Sequence, residues 1–357
     1  MNKEQPLVTV LVLTYNRCDL LKNCLDSVLA SDYPNLEFIV SDNGSTEDIE
    51  GFVKENYSKK VINQLIQVVR LKQNKGLTGG FNYGYKFCKG KYIMILSNDT
   101  RLKKDAISKM VEMVESDPTI GIISPKIIQM KDPLHFHHAG SFITFSGLLY
   151  HYGLLQDIND KKYQKSYYVF SCNGAGFLIR KEAAESCGLF EEDFYIYYEE
   201  SDLSHRIWLA GYSIVYCPSA YLWHLWGATM GAGPEIWYYN HRNHISSFIR
   251  NLSLPYLFLM LLNFNLLLIF WFILYSLQLR FDISIALPKA YLWHLMHIKQ
   301  TLRKRKFIQN KIRKVSDKEI FEKTLVSPGW RYYFIHLKLA YQDIELPKRV
   351  LYLEKKK

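Results

Sequence analysis

The sequence predicts an α/β fold built on a parallel sheet, and three observations carry that expectation. Short apolar runs alternate with segments of helical period through the first hundred residues. Each run ends in a polar or glycine-rich loop, which gathers the loops at one sheet edge. The run Tyr92 to Leu96 is apolar on both faces and stops at Ser97, Asn98, Asp99 and Thr100, the pattern of a central strand with a lone acid at its carboxyl end. Ligands of open α/β sheets bind beyond the carboxyl ends of the strands, so Asp99 is a candidate for holding a metal or a phosphate-bearing ligand. The competing reading makes it the cap of a helix starting near Arg101 or Leu102.

Taken in order, Val8 to Leu13 is a short β-branched strand with Thr14, Tyr15, Asn16 and Arg17 as its loop. Leu20, Leu21, Cys24, Leu25 and Val28 then recur at helical spacing. Leu36 to Val40 is the second strand, closed by Ser41, Asp42, Asn43, Gly44, Ser45 and Thr46; Ser45 or Thr46 is expected to cap the helix through Ile49, Phe52 and Val53. Ile66 to Leu71 is the third, leading through Gly76, Gly79 and Gly80 to a helix over Phe81 to Cys88. This glycine loop resembles a phosphate cradle, yet its spacing matches neither the dinucleotide fingerprint nor a P-loop. A glycine-rich turn before a helix is more often just a turn.

Gly121 to Ile128 reads as a further strand, with His135, His137 and His138 nearby. No Cys or carboxylate lies at ligand spacing from those histidines, so a metal site among them is disfavoured. The tyrosine-rich stretch to Tyr168 suggests loops or a small antiparallel ribbon, and SCNGAGFLIR from Ser171 a strand, followed by a short helix over Glu182 to Cys187. Next, acids lie dense among aromatics: a helix is expected from Ser201, with Glu199 and Glu200 just ahead of it. A carboxylate beside aromatic surface is poorly solvated, which raises its pKa and suits a general base. An acidic helix N-terminus that complements the helix dipole is the plainer reading, and Asp202 is assigned to it. Tyr212 to Tyr216 is a strand expected to break at Pro218, before Trp223, His224 and Trp226. A lone histidine among tryptophans is usually a packed core residue.

Length and composition allow one large domain with an appendage. The six cysteines form no CxxC pair, which fits a reduced compartment and argues against a zinc site. The N-terminus lacks the apolar core of a signal peptide, so a cytoplasmic location is expected for the front of the chain. Charge is asymmetric: from Arg280 onward there are 19 Lys+Arg against 7 Asp+Glu, whereas the preceding part is close to neutral. The 29 residues between Arg250 and Arg280 carry no charge, which favours a membrane surface over nucleic acid as the partner of this basic tail. A single spanning helix would put Arg303, Lys304, Arg305 and Lys306 outside, against the positive-inside rule. An in-plane, re-entrant or paired helical insertion is therefore expected, with Phe281 to Ile298 as the weaker partner; a buried helix or an interface in a homo-oligomer is the alternative.

Read together, VLVLTYNR, SDNGST, NKGLTGGFN, ILSNDT, NGAGFLIR, FYIYYEESDLSHR, AGY and the Trp223–His224 pair resemble the family 2 glycosyltransferases, in particular the bacterial rhamnosyltransferase-like branch of surface polysaccharide assembly. The resemblance covers residues 7 to about 250. It implies a glycosyltransferase A-type fold in residues 1–250, with a nucleotide-binding half in 1–100 and an acceptor and metal half in 101–250, and a membrane-associated helical region in 251–357. It also implies inverting transfer of one sugar from a nucleotide sugar, dTDP-rhamnose or a UDP-hexose, to a saccharide acceptor, with membrane attachment making a lipid-linked one the expectation.

By the same resemblance, Asp99 and His224 would hold Mg²⁺ or Mn²⁺, and Glu200, preceded by Glu199, would be the general base. Asp42 would accept the imino hydrogen of uracil or thymine. Thr14, Asn16 and Arg17 would contact the nucleoside and phosphates, Gly76, Gly79 and Gly80 would turn close to the donor, and Asn98 lies in the motif beside Asp99. Ser97 stands where the motif's first Asp often lies, and Glu200 replaces the more usual Asp. The Gln-x-x-Arg-Trp motif of processive synthases is missing; Tyr239, Asn240, His241, Arg242 and Asn243 stand there instead. A catalytically silent membrane scaffold and a nucleotidyltransferase are the rival readings, and the intact acids with the EESD and WH segments weigh against both.

Overall fold

The computed structural model describes residues 5–63, 65–227, 233–329, 332–333 and 346–352. The first part alternates strand and helix: β1 (Val8–Thr14), α1 (Cys18–Leu29), β2 (Leu36–Asp42), α2 (Ile49–Ile62), β3 (Ile66–Arg70), α3 (Gly76–Tyr85), β4 (Tyr92–Ser97), the short β5 (Thr100–Leu102) and α4 (Ala106–Ser116). There follow β6 (Ile120–Gln129), β7 (Phe136–His138), β8 (Ser141–Ile143), β9 (Leu149–His151), β10 (Gly176–Arg180), α5 (Lys181–Cys187), α6 (Glu199–Leu209) and β11 (Ser213–His224). The chain then turns helical: α7 (Pro234–Asn251), α8 (Leu254–Leu277), α9 (Phe281–Ser284), α10 (Ala286–Met296), α11 (Ile298–Phe307) and α12 (Asp317–Thr324).

The main sheet runs β3-β2-β1-β4-β10-β6-β11-β5, with β7 beside β6. Its first four strands are parallel, as the alternation predicts. β10 enters antiparallel between β4 and β6, so the sheet as a whole is mixed. Helices cover both faces. Val8, Val10 and Val12 of β1 face one core with α1 and α4, while Leu11 faces the other with Phe81 of α3 and Ile207 of α6. α1 buries Leu20, Leu21, Cys24, Leu25 and Val28 on the first core. Each such leucine contributes about 1.5–3 kcal/mol. β8 and β9 form the small antiparallel ribbon expected of the tyrosine-rich stretch.

Several boundaries differ from the sequence expectation, each for a local reason. Asp48, not Ser45 or Thr46, caps α2, accepting the Gly51 amide at 2.9 Å. Asp99 caps no helix, because Thr100–Leu102 pairs with β11 as a strand and α4 begins only at Ala106. α3 starts at Gly76 rather than Phe81, and α6 at Glu199 rather than Ser201. β11 passes through Pro218 without stopping. The register shifts between Cys217 and Tyr221, so the proline falls in an unpaired bulge where its missing N–H costs no ladder bond.

In α8, Leu257, Met260, Phe264, Leu268, Trp271 and Tyr275 form a buried stripe. Part of it meets α7: Trp237 lies 5.0 Å from Tyr275 and His244 4.3 Å from Phe264, between ring centroids. The opposite stripe, with Phe258, Leu262, Leu266, Ile269 and Ile273, is exposed. Part of the basic tail is engaged internally: Arg305 donates to the carbonyls of Ile249 and Leu252, and Lys304 pairs with Glu191. Arg303 and Lys306 are exposed.

Candidate active site

The carboxyl ends of β1, β2 and β4 and the start of α3 meet at one edge. Asn98 donates to the Thr14 hydroxyl at 2.9 Å, which in turn donates to the Asn16 carbonyl at 2.9 Å. Asn16 and Arg17 both have left-handed backbone, with φ 57° and 62°. The Asn16 side-chain oxygen accepts from the Thr46 and Glu47 amides, while the Arg17 guanidinium pairs with Asp19. Asn16 therefore stitches the first loop to the second. Asp42 is fully buried; one carboxylate oxygen accepts the Ser45 amide at 2.9 Å and the other lies 3.3 Å from Arg70 Nε. Arg70, which the sequence reading did not single out, is half exposed and closes this corner.

The three glycines form the first turn of α3, not a loop ahead of it. Gly76 has φ +73°, and a Cβ there would stand 2.4 Å from Tyr195. A Cβ on Gly79 would meet Lys75 and one on Gly80 would meet Leu13. Close packing explains their size.

Register places the acid beside the histidine. β5 runs antiparallel to β11 with Thr100 opposite His224, so Asp99 reaches the ring. Asp99 Oδ1 lies 3.5 Å from His224 Nε2, and Asp99 is 3% exposed. Burial pushes its carboxyl up, but His224 and the Ser97 hydroxyl overcome this and hold it below the usual carboxylate range. An anionic oxygen and an imidazole nitrogen converge, a donor pair suited to a divalent cation. Among the described residues no group of three or more His, Cys, Asp and Glu side chains is arranged to hold a metal. A cation here needs oxygens from a ligand or water to complete its shell.

The histidine cluster divides. His135 bonds Asp132, His138 bonds Ser141, and His137 lies against His224. No spacing along the chain ties His137 to His224, because the link is made through strand register.

Glu199 and Glu200 occupy the first two positions of α6. Glu199 is buried with its Oε2 lacking a hydrogen-bond partner, and Glu200 is half-buried beside Ser201 Oγ at 3.4 Å. Burial and then the adjacent Glu200 push Glu199 well above the ordinary carboxyl range; burial also raises Glu200. Asp202 is structural: it receives Arg206 Nε at 2.8 Å and the Asn251 amide at 2.8 Å. Burial opposes its ionisation, but Arg206 and Arg250 hold it below the usual range.

The mixed sheet with its loop-lined edge is that of a transferase with the glycosyltransferase A-type fold. The chain belongs to glycosyl transferase family 2, whose family model matches residues 9–188. It is similar to the poly-β-1,6-N-acetyl-D-glucosamine synthase of Staphylococcus aureus strain MSSA476, 27% identical over 226 residues, which are 63% of this chain and 51% of the synthase. The chain thus spans about half the length of that relative. In structure it is similar to GalNAc-T7 solved with UDP, GalNAc and Mn²⁺, with TM-score 0.57 and 17% identity over 71% of this chain and 49% of that one. It is also similar to the mannosyltransferase PcManGT of Pyrobaculum calidifontis in complex with GDP-Man and Mn²⁺, with TM-score 0.53 and 19% identity over 83% and 76% of the two chains. These likenesses in structure carry the fold.

Proposed function

We propose that the chain transfers a single sugar, with inversion, from a pyrimidine nucleotide sugar to a saccharide acceptor in bacterial surface polysaccharide assembly. The carrying observation is the approach of Asp99 Oδ1 and His224 Nε2, 3.5 Å apart at the carboxyl end of the sheet. In this reading the two hold Mg²⁺ or Mn²⁺, which when bound neutralises the charge of the departing diphosphate. Two neighbours solved with Mn²⁺ support a divalent ion. Asp42, ordered by Ser45 and Arg70, faces the base of the nucleoside, and Thr14, Asn16, Arg17, Asn98 and the α3 glycines shape the nucleotide edge. Glu200 takes the proton of the acceptor hydroxyl, and Glu199 keeps its own. dTDP-rhamnose and UDP-hexoses are the donors this chemistry accommodates.

Residues 1–250 form the catalytic part in this proposal and 251–357 a membrane-associated region on the cytoplasmic face of the cell membrane. The exposed apolar stripe of α8, the one described helix long and apolar enough to cross a membrane, supports a membrane contact. That contact favours a lipid-linked acceptor.

A processive reading has its own support, since the relative from Staphylococcus aureus is a polymer synthase. The two part on product length: single addition leaves one new sugar per acceptor, and a synthase leaves a ladder.

A donor screen tests the proposal. Purified chain is melted with dTDP-rhamnose, UDP-glucose, UDP-galactose or UDP-N-acetylglucosamine, with and without Mn²⁺. One donor should raise the melting temperature only with metal, since a ligand of the native state stabilises it by mass action. A flat response to every donor would count against the nucleotide-sugar reading.

A further inference from the structure

β7 pairs with β6 out of step: Ile127 faces His138, whereas the next residue, Ile128, faces Phe136. His137 is the extra residue on β7. Such a bulge turns a side chain out of its strand's alternation, and bulges recur beside active sites for that reason. His224 ends β11, which pairs with β6 along its other edge, opposite Gln129. The two rings nevertheless meet. Their Nδ1 atoms are 3.1 Å apart and their centroids 4.8 Å, and Trp226 lies 5.1 Å from the His137 ring.

Two imidazole nitrogens at that distance share one hydrogen, so one donates and the other accepts. His224 Nε2 is the nitrogen that faces Asp99. To offer its lone pair to a cation, that nitrogen must be bare, and a neutral ring then carries its hydrogen on Nδ1. The acceptor waiting for that hydrogen is His137 Nδ1. Metal-binding histidines are generally held in this way by a partner on the second ring nitrogen, usually a carboxylate, a carbonyl or water.

We infer that His137 is a positioning residue that fixes the tautomer and ring plane of His224 for a divalent cation shared with Asp99. The inference rests on the proposed ligand role of Asp99 and His224. With its Nδ1 engaged by His224, His137 acts through that residue. The bulge is what makes the contact, because regular pairing would have kept His137 in the alternation of β7.

The test is Mn²⁺ alone, titrated into the full chain and followed by the electron paramagnetic resonance signal of the free ion. His137→Phe keeps an aromatic ring beside Trp226 and removes the acceptor; His137→Asn returns an oxygen near the position of Nδ1. We expect His137→Phe to weaken Mn²⁺ binding about 10–100-fold and His137→Asn to recover most of that loss. Should the Phe variant not fold, His137→Leu against His137→Asn makes the same comparison. Wild-type affinity in the Phe variant, or equal loss in Phe and Asn variants, overturns the inference. Asp99→Asn and His224→Ala test the reading beneath it. If the wild type takes up no Mn²⁺, or either variant keeps wild-type affinity, the ligand assignment itself fails. If both lose binding while His137→Phe does not, only the role of His137 is lost.

Discussion

The side-chain nitrogen of Asn243 lies 2.7 Å from the carbonyl oxygen of Tyr197, one of three tyrosines held in left-handed backbone just ahead of Glu199. The same nitrogen donates to the carbonyls of Phe194 and Ile196, and Arg242 Nε fixes the amide's orientation by donating to its oxygen at 2.9 Å. Left-handed backbone costs about 1–2 kcal/mol per non-glycine residue, so this segment needs its clamp. Asn243→Ala leaves buried carbonyls unsatisfied and should lower stability by about 3 kcal/mol. Hydrogen exchange over residues 194–198 is the direct check. Unchanged protection there would mean that the tyrosines hold their own conformation.

The neighbouring carboxyls predict a pH signature with a defined sign. Glu199 is raised in the fold, chiefly by burial, so between the ordinary carboxyl pKa and its folded value the native state binds more protons than the unfolded chain. Its contribution is fully present below the unfolded pKa and is lost as pH rises through the folded pKa. Glu199→Gln removes that loss. The variant should melt close to wild type in acid and progressively higher than wild type as pH rises, with scans at a series of pH values as the measurement. A constant offset at every pH would show that Glu199 does not retain its proton.

The same pair governs turnover if Glu200 is the base. Its activity should rise with pH through a pKa above that of an ordinary glutamate, because burial raises Glu200. Its neighbour Glu199 pulls the other way and offsets part of that rise. Glu199→Gln keeps a donor and should leave the acid limb near its place, whereas Glu199→Ala should move the limb upward. Glu200→Gln should bind donor and lose about 10²–10⁴-fold in rate. Near-normal turnover in Glu200→Gln would remove the base from this position.

The fold was legible because its signals are local. β1 to β4 announce themselves by composition, and burial on both faces leaves β1 without alternation. Asp99 was legible for the same reason, at the abrupt end of an apolar run. What stayed hidden is tertiary. Nothing in the spacing of Asn16 shows that its side chain caps the next loop, nor that Gly80 is small to admit Leu13. His137 meets His224 only through a bulge in a strand of three residues. Pro218 misled because a proline stops regular ladders, and here the ladder is interrupted where it falls. Asp202 does sit in the first turn of α6, as an acid complementing the helix dipole should, but its spacing does not show that the fold buries it against Arg206 on the same helix.

That last pair should be costly to break. Arg206 is 1% exposed, pairs with Asp202 and donates to the carbonyls of Cys187, Gly188 and Leu189. Removing one partner of a buried pair strands the other charge, at a cost of about 3–5 kcal/mol. Arg206→Met should destabilise the chain by that order in urea titrations. Arg206→Lys should recover little, since an ammonium cannot reach the carboxylate and three carbonyls together. A lysine variant as stable as wild type would show that charge alone suffices there.

The two stripes of α8 predict opposite outcomes for similar substitutions. Trp271 and Phe264 face the protein, so alanine at either should cost about 3–5 kcal/mol. Leu262 and Leu266 face outward, and Leu262→Asp with Leu266→Asp should leave the melting temperature nearly unchanged. If the outer stripe lies in a lipid interface, the double aspartate variant should lose flotation with anionic vesicles, and wild-type binding should weaken with salt as Arg303 and Lys306 are screened. If the stripe instead joins two copies of the chain, the same variant should turn a dimer into a monomer in sedimentation while vesicle flotation stays as it was. The two readings differ because lipid recruits apolar area together with exposed basic charge, whereas a second copy brings the same basic charge against itself.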